Sequence, residues 1–236
     1  METNQPPVVV LSLFKYSGFR NKFWAFTMMQ FAHGYLKDVE GLRFYRVLGT
    51  GAGNGFKWYS DFSTYALLTV WDSEARADSF LADSELYAQY RDRTQELVSV
   101  YMTPLRSHGQ WSGTNPFKPD GQAEGNVTAV ITRATIANKQ LWKFWRQVPR
   151  TSGSLKEFSG LICAKGIGEW PVKQMATFSL WQDEESMKAY AYRNQAHLEA
   201  IKKTRELNWY NEELFARFRP FKTSGTWHGG HPLLPF

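Results

Sequence analysis

Cys163 stands alone in 236 residues, so the chain has neither an internal disulfide nor a thiolate set for a metal, and a reducing, cytoplasmic setting is expected. No apolar run approaches the roughly 18 residues that a membrane helix needs. The stretch Met1–Pro7 carries no basic residue, and a secretory signal is not expected. Acidic residues are in the minority, 22 against 28 Lys and Arg, for a net charge of +6. That excess is small and spread along the chain, and the aromatics follow no RNP-like pattern, so nucleic acid is not an expected partner. H-E-x-x-H, C-x-x-C, an Asp-rich calcium loop, G-x-S-x-G and a Walker motif are all missing. Gly49-Thr50-Gly51-Ala52-Gly53-Asn54-Gly55 imitates a dinucleotide loop. Asn54 takes the third glycine's place, however, and Phe56-Lys57-Trp58-Tyr59 does not open a helix that could hold phosphate, so a β–β connection is expected.

What is abundant is aromatic: 16% of the residues, with 10 Trp, in a chain 43% hydrophobic and 21% charged. Such a chain folds around a substantial core. It also repeats itself. Thr69-Val70-Trp71-Asp72-Ser73-Glu74 returns as Ser179-Leu180-Trp181-Gln182-Asp183-Glu184, and Arg93-Thr94-Gln95-Glu96-Leu97 as Lys203-Thr204-Arg205-Glu206-Leu207, both 110 residues further on. Gly109-Gln110-Trp111-Ser112-Gly113 matches Gly225-Thr226-Trp227-His228-Gly229, and Gly41-Leu42 matches Gly160-Leu161. Landmarks in one order indicate a duplication: 1–113, a linker over 114–126, and 127–236.

Period-2 runs predict strands over 8–15, 42–48, 63–71 and 98–105, then over 127–135, 161–167, 174–181 and 215–221. Helical spacing predicts helices over 20–33, with Gly34 as C-cap, and from Ser73 to about Leu97, then over 139–148 and 183–210. Each half thus reads β-α-β-β-α-β, the ferredoxin-like split unit. The expected fold is α+β, two tandem ferredoxin-like repeats in a pseudo-twofold barrel of the dimeric α/β-barrel type, around a central cavity.

In the predicted 183–210 helix, Met187, Tyr190, Asn194, His197, Ile201, Thr204 and Asn208 share one face. A face mixing polar and apolar groups suits a pocket wall. The matching stripe of the first half has Tyr87 where the second has His197, so only the second offers an imidazole to a metal; a histidine bonded to a backbone carbonyl is the other reading. His33 beside Gly34 reads as a helix-end cation, and His108 lies in a predicted turn. Cys163 reads as a small core residue. Lys15 aligns with Arg133 and Arg46 with Lys165, while Arg217 and Arg219 share a strand face with Phe215 and Phe221. These cations either meet the propionates of a bound group such as haem or point out into solvent.

Several segments together resemble the spheroidene monooxygenase family, the acyclic-carotenoid 2-ketolases. They are Phe23-Trp24-Ala25-Phe26, Gly160-Leu161 with Lys165-Gly166-Ile167-Gly168-Glu169, Ala176-Thr177-Phe178-Ser179-Leu180-Trp181, and Lys202-Lys203-Thr204-Arg205-Glu206-Leu207-Asn208-Trp209-Tyr210 through Phe218. Gln110-Trp111-Ser112-Gly113 and Val130-Ile131-Thr132-Arg133-Ala134-Thr135-Ile136 belong to the same resemblance, which runs from about Ser12 to Gly229. It implies haem b, O₂, a ferredoxin-type electron donor, and hydroxylation of C-2 of acyclic carotenoids on to the ketone. It implies His197 as the iron ligand, with Tyr190, Asn194, Ile201 and Thr204 beside the cofactor. Arg133, Lys165 and Arg217 become candidates for distal or propionate contacts, and Trp142, Trp145 and Phe178 for lining a polyene tunnel. A lipid-dissolved substrate implies peripheral contact with the inner membrane. A cofactor-free α/β-barrel monooxygenase and a non-catalytic carotenoid- or haem-binding protein are the competing expectations.

Overall fold

The computed structural model describes residues 7–52, 59–119, 124–146, 159–193, 206–207, 209–227, 229, 231 and 233–234. β1 (Val8–Lys15) is β-branched and nearly all buried, as befits a strand covered on both faces. It is followed by α1 (Phe19–Leu36), β2 (Leu42–Gly51), β3 (Ser60–Trp71), α2 (Glu74–Asp83), α3 (Glu85–Arg93) and β4 (Glu96–Gly109). The second half comprises β5 (Thr128–Ile136), a 3₁₀ turn (Asn138–Gln140) leading into α4 (141–146), β6 (Leu161–Trp170), β7 (Gln174–Trp181), α5 (Glu184–Arg193) and β8 (Tyr210–Gly225). The strands close into one antiparallel barrel in the order β1-β3-β2-β6-β7-β5-β8-β4, so no sheet edge is left open. The class is α+β, as expected.

Within that ring the two halves carry the same strand order, β4-β1-β3-β2 and β8-β5-β7-β6. Val8 pairs with Trp71 as Thr128 pairs with Trp181. Trp71 Nε1 donates to Thr69 Oγ1 at 2.8 Å, and Trp181 Nε1 to Ser179 Oγ at 3.0 Å. The first indole lies 5.0 Å from the Phe80 ring and the second 5.4 Å from that of Tyr190. Asp72 N–H donates to the Gly41 carbonyl and Gln182 N–H to that of Gly160. Gly160 has φ +89°, and a Cβ there would lie 2.4 Å from Ser186 Oγ, so only glycine serves. The seams between halves differ. β4 and β8 pair from Val98↔Gly225 to Gly109↔Leu214, whereas β2 and β6 pair only through Gly49↔Gly168 and Thr50↔Ile167.

The barrel interior is a packed core rather than the expected central cavity. Val9, Leu11, Leu13, Leu68, Val100, Ile131, Ile167, Phe178, Leu180 and Phe218 fill it, with Trp111, Phe117 and Leu234 in the same cluster. Several boundaries also differ from expectation. The long helix expected after Ser73 is two, because Ser84 is extended (φ −72°, ψ 138°) and its Oγ accepts the Tyr87 N–H at 3.2 Å. A serine able to cap a new helix competes with continuing the old one. α1 continues through Gly34 to Leu36, so Gly34 is no cap. β4 runs on to Gly109, which places His108 in a strand, stacked 5.2 Å from Phe215. Tyr210 opens β8 instead of ending a helix, and 194–205 of that predicted helix lie outside the described residues.

Candidate functional site

Matched registers allow the two outer faces of the barrel to be compared position by position. On the first half, Val10, Phe14, Val47, Tyr65, Leu67, Trp71 and Tyr101 are buried beneath α1, α2 and α3 in one large cluster. On the second half the same places hold Val130, Ala134, Gly166, Met175, Thr177, Trp181 and Arg217. Ala164 replaces Tyr45, and exposed Thr132 replaces Ser12, which is buried. Among the described residues the buried cluster on this face is only Val130, Trp181 and Met187, with Tyr190 and Phe215 partly buried against it. Four side chains are thus smaller here, Ala134 for Phe14, Ala164 for Tyr45, Gly166 for Val47 and Thr177 for Leu67, and among the described residues this face carries a thinner layer, a shelf.

The shelf runs into a groove of about 210 Å³ over the thin β2–β6 seam. Gly49, Gly51, Gly166 and Gly168 line it, with Phe26 and Met29 of α1, Phe62 and Tyr65 of β3, Met175 of β7 and Trp145 of α4. Trp145 is held by a 3.0 Å bond from Nε1 to the Val172 carbonyl. Val172 has φ +72°, a strained value for a β-branched residue, in the tight β6–β7 turn that presents that carbonyl. The two central glycines are not equivalent. A Cβ on Gly168 would lie 2.6 Å from the Gln174 carbonyl, whereas one on Gly49 would meet only the Gly168 carbonyl at 3.8 Å.

Two acids line the groove, Glu169 and the partly buried Asp61, and Lys165 Nζ donates to Asp61 Oδ2 at 3.3 Å. Burial pulls the Asp61 carboxyl up, but bonds from Ser63 and the Lys165 charge outweigh it and hold it below the usual carboxylate range. Burial, aided by Asp61, pushes the Tyr65 phenol up to about 12. A narrow apolar slot whose two acids are both ion-paired suits a long hydrocarbon.

The structure spreads the sequence-predicted residues over several places. Trp145 lines the groove, and Trp142, on the same helical turn, is 76% exposed beyond it. Phe178 does not line it: alternation along β7 turns Ala176, Phe178 and Leu180 into the barrel core. Arg133, 1% exposed, sits at the mouth of the barrel interior and is ion-paired to Glu212 and Glu169. Arg46 Nε pairs with Glu169 at 2.7 Å, and Trp111 Nε1 donates to the same carboxylate at 2.8 Å. This network ties the 111–114 turn across both halves, and strand alternation places Arg133 on the interior side of β5 with Ala129 and Ile131, away from the second outer face. Arg217 lies on the second outer face, paired with Glu184 at the start of α5. Its Nε, like Trp209 Nε1, is buried without a hydrogen-bond partner among the described residues. Tyr190 packs on Trp181 over the shelf, and burial pushes its phenol up to about 12.

His197, Asn194, Ile201 and Thr204 lie outside the described residues. Of the other histidines, His33 is exposed with Nδ1 3.3 Å from Tyr45 Oη. Burial pushes the Cys163 thiol up to about 11, only partly countered by Lys165, so it is inert as a nucleophile. Among the described residues no group of three or more His, Cys, Asp or Glu could hold a metal ion. The seam glycines, Asp61 and α1 were missed by sequence reasoning. Gly49, which the repeat aligns with Gly168, was the available signal.

No family model matches the chain. It is 35% identical over 230 residues to the spheroidene monooxygenase of Rhodobacter capsulatus, covering 96% of this chain and 95% of that protein. It is 36% identical over 194 residues to that of Rubrivivax gelatinosus, covering 80% and 73%. The chain belongs to the spheroidene monooxygenase family. It is therefore an oxidoreductase of the monooxygenase kind. Among solved structures, aldoxime dehydratase is similar with a TM-score of 0.65 at 9% identity, covering 97% of this chain and 86% of that one. An aldoxime dehydratase in complex with butyraldoxime gives 0.60 at 9% identity, covering 92% and 80%. At such identity the likeness is one of fold. No described helix is long and apolar enough to cross a membrane.

Proposed function

We propose that the chain is a haem-dependent carotenoid 2-monooxygenase that hydroxylates C-2 of an acyclic carotenoid, on to the ketone, with O₂ and a reduced ferredoxin-type donor. Membership of the spheroidene monooxygenase family supports the substrate class. The single observation that carries the location is the emptied outer face of the second half, contiguous with the apolar seam groove. In this reading the chain is a tandem of two ferredoxin-like units, 1–113 and 127–236 joined by 114–126. The first keeps a filled outer layer as scaffold, and the second has cleared its layer for a ligand. The protein is cytoplasmic with peripheral contact to the inner membrane.

The residues present fit a flat macrocycle to this extent. Side chains like those of Phe14, Tyr45, Val47 and Leu67 would fill the cradle that Ala134, Ala164, Gly166 and Thr177 leave open. Arg217, with its Nε unmatched, is the cation on that face suited to a propionate. His197 is the proposed iron ligand, with Asn194 or Thr204 orienting its second nitrogen and Tyr190 and Ile201 beside the ring. Haem, when bound, would supply the O₂ activation that hydroxylation of an allylic C–H bond requires. The chain's own work is to hold the polyene. Trp145, Phe26 and Phe62 clamp it along the glycine seam, water is excluded by the aromatic walls, and the Lys165–Asp61 pair closes the groove's charge.

The test is the absorption spectrum of the purified protein, oxidised and dithionite-reduced, beside His197→Ala, with turnover of spheroidene or lycopene under supplied reductant. A Soret band lost in the variant together with C-2 product from the wild type is expected. Product formed without haem would favour the cofactor-free reading, and retained ligand without product the carrier.

A further inference from the structure

α1 presents an unusual outer face. Ala25, Met28, Ala32 and Leu36 bury one side against the sheet, yet the opposite side carries Phe19, Phe23 and Phe26, which are 82%, 58% and 52% exposed. A surface helix normally turns charge outward; one apolar on both sides is normally covered on both. Phe19 and Phe23 stack at 6.1 Å, and Phe26 meets Phe62 of β3 at 6.0 Å, so the exposed rings run without a break to the rim of the seam groove. On its far side the rim continues with Trp170, 68% exposed.

Along α1 the charge has one sign. No Asp or Glu occurs between Lys15 and Lys37, where Arg20 and Lys22 stand. None occurs between Asn126 and Lys156 either, and there Lys139, Lys143 and Arg146 surround exposed Trp142. Two acids line the groove, Asp61 and Glu169, and each is ion-paired, to Lys165 and to Arg46, while Glu74, Asp78, Asp83, Glu85 and Asp92 lie on α2 and α3, away from it.

We infer that the Phe19–Phe23–Phe26 face of α1 docks on an anionic lipid bilayer, with the seam groove opening onto the hydrocarbon. Aromatic rings beside lysine and arginine are the chemistry of the water–lipid boundary, the rings seated at headgroup depth and the cations against phosphate. Continuity with an apolar groove gives the docking a purpose, since a polyene dissolved in the membrane enters without crossing water. That purpose rests on the carotenoid reading above; the docking itself does not.

Co-sedimentation of the purified full-length protein with phosphatidylcholine vesicles, with and without one quarter phosphatidylglycerol, tests it. Each ring contributes about tenfold in partitioning. Phe19→Ser/Phe23→Ser therefore lowers binding to the anionic vesicles about 100-fold, with an unchanged melting temperature because both rings are exposed in the folded chain. Arg20→Glu/Lys22→Glu weakens binding as well, and added salt weakens the wild type. The inference is overturned if the wild type ignores both vesicle types. It is overturned too if the serine variant binds like the wild type, or if light scattering shows a lipid-free dimer that the serine substitutions dissociate, since a second copy is then the occupant. Vesicle binding without carotenoid product would refute the substrate reading alone and leave the docking face standing.

Discussion

The two outer faces of this barrel start from the same scaffold and end differently. Trp71 and Trp181 hold the same register, the same hydrogen bond two residues back and the same aromatic neighbour on the following helix. Around Trp71 the layer is finished with Phe14, Val47, Leu67 and Tyr101, and three helices lie on it. Around Trp181 the corresponding side chains are alanine, glycine, threonine and arginine. Burial of large side chains gives stability and smaller ones give less, so one half can carry a thinner outer layer only while the other half and the shared interior hold the fold. Stability in this molecule therefore belongs chiefly to the first face and the barrel core, and the proposed ligand site to the second face and the seam.

Substitutions can break that contrast, beginning with the largest effect. Phe14, buried and 4.5 Å from the Tyr90 ring, should cost about 3–5 kcal/mol when cut to alanine, read as a urea midpoint shift. Phe215, partly buried on the second face, should cost well under half of that. Arg133→Met should cost about 2 kcal/mol near neutral pH by leaving the partly buried Glu212 without its cation, while Glu169 keeps Arg46. Burial raises the Glu212 carboxyl, but the N–H groups of Gly113 and Ser112 and the Arg133 charge overcome this and hold it below its ordinary value. A depressed carboxyl stabilises the fold above its unfolded pKa of about 4.3, and that contribution vanishes as pH falls through the folded value. The gap between wild type and Arg133→Met should therefore be full at pH 7 and narrow progressively below about pH 4, in paired denaturation curves.

The seam glycines sharpen the contrast at smaller cost. Gly168→Ala forces a Cβ to 2.6 Å from the Gln174 carbonyl and should destabilise by about 1–3 kcal/mol. Gly49→Ala meets nothing closer than 3.8 Å and should change stability by less than about 0.5 kcal/mol. Because its methyl enters the groove, it should still raise the KM for a carotenoid.

Much of the architecture was legible because it is written in local pattern. The strands Val8–Lys15 and Gln174–Trp181 follow from β-branched and alternating runs, and the repeated Trp-Asp/Gln-Ser/Asp-Glu motif marks each strand-to-helix turn. Helix ends were less legible, since Ser84 is as good a cap as it is a mid-helix residue. The site was legible only in part. Trp145 could be picked as an aromatic beside the substrate, but Phe178 and Arg133 could not be told from core and mouth residues without strand register. A one-residue change of phase sends a side chain to the other face. Gly49 and Gly51 read as part of a β–β connection until β2 was found beside β6. The shelf exists only as a difference between two halves, visible once Ala134 is set against Phe14 and Thr177 against Leu67.

The central claim is that the second outer face was emptied to receive a ligand. Ala134→Phe/Thr177→Leu restores the first half's side chains to it, and the Soret absorbance per protein is the direct readout. The account predicts a folded protein, with a melting temperature at or above the wild type's, that has lost the band and the carotenoid product. A double variant with wild-type haem content and turnover would place the ligand elsewhere and contradict it.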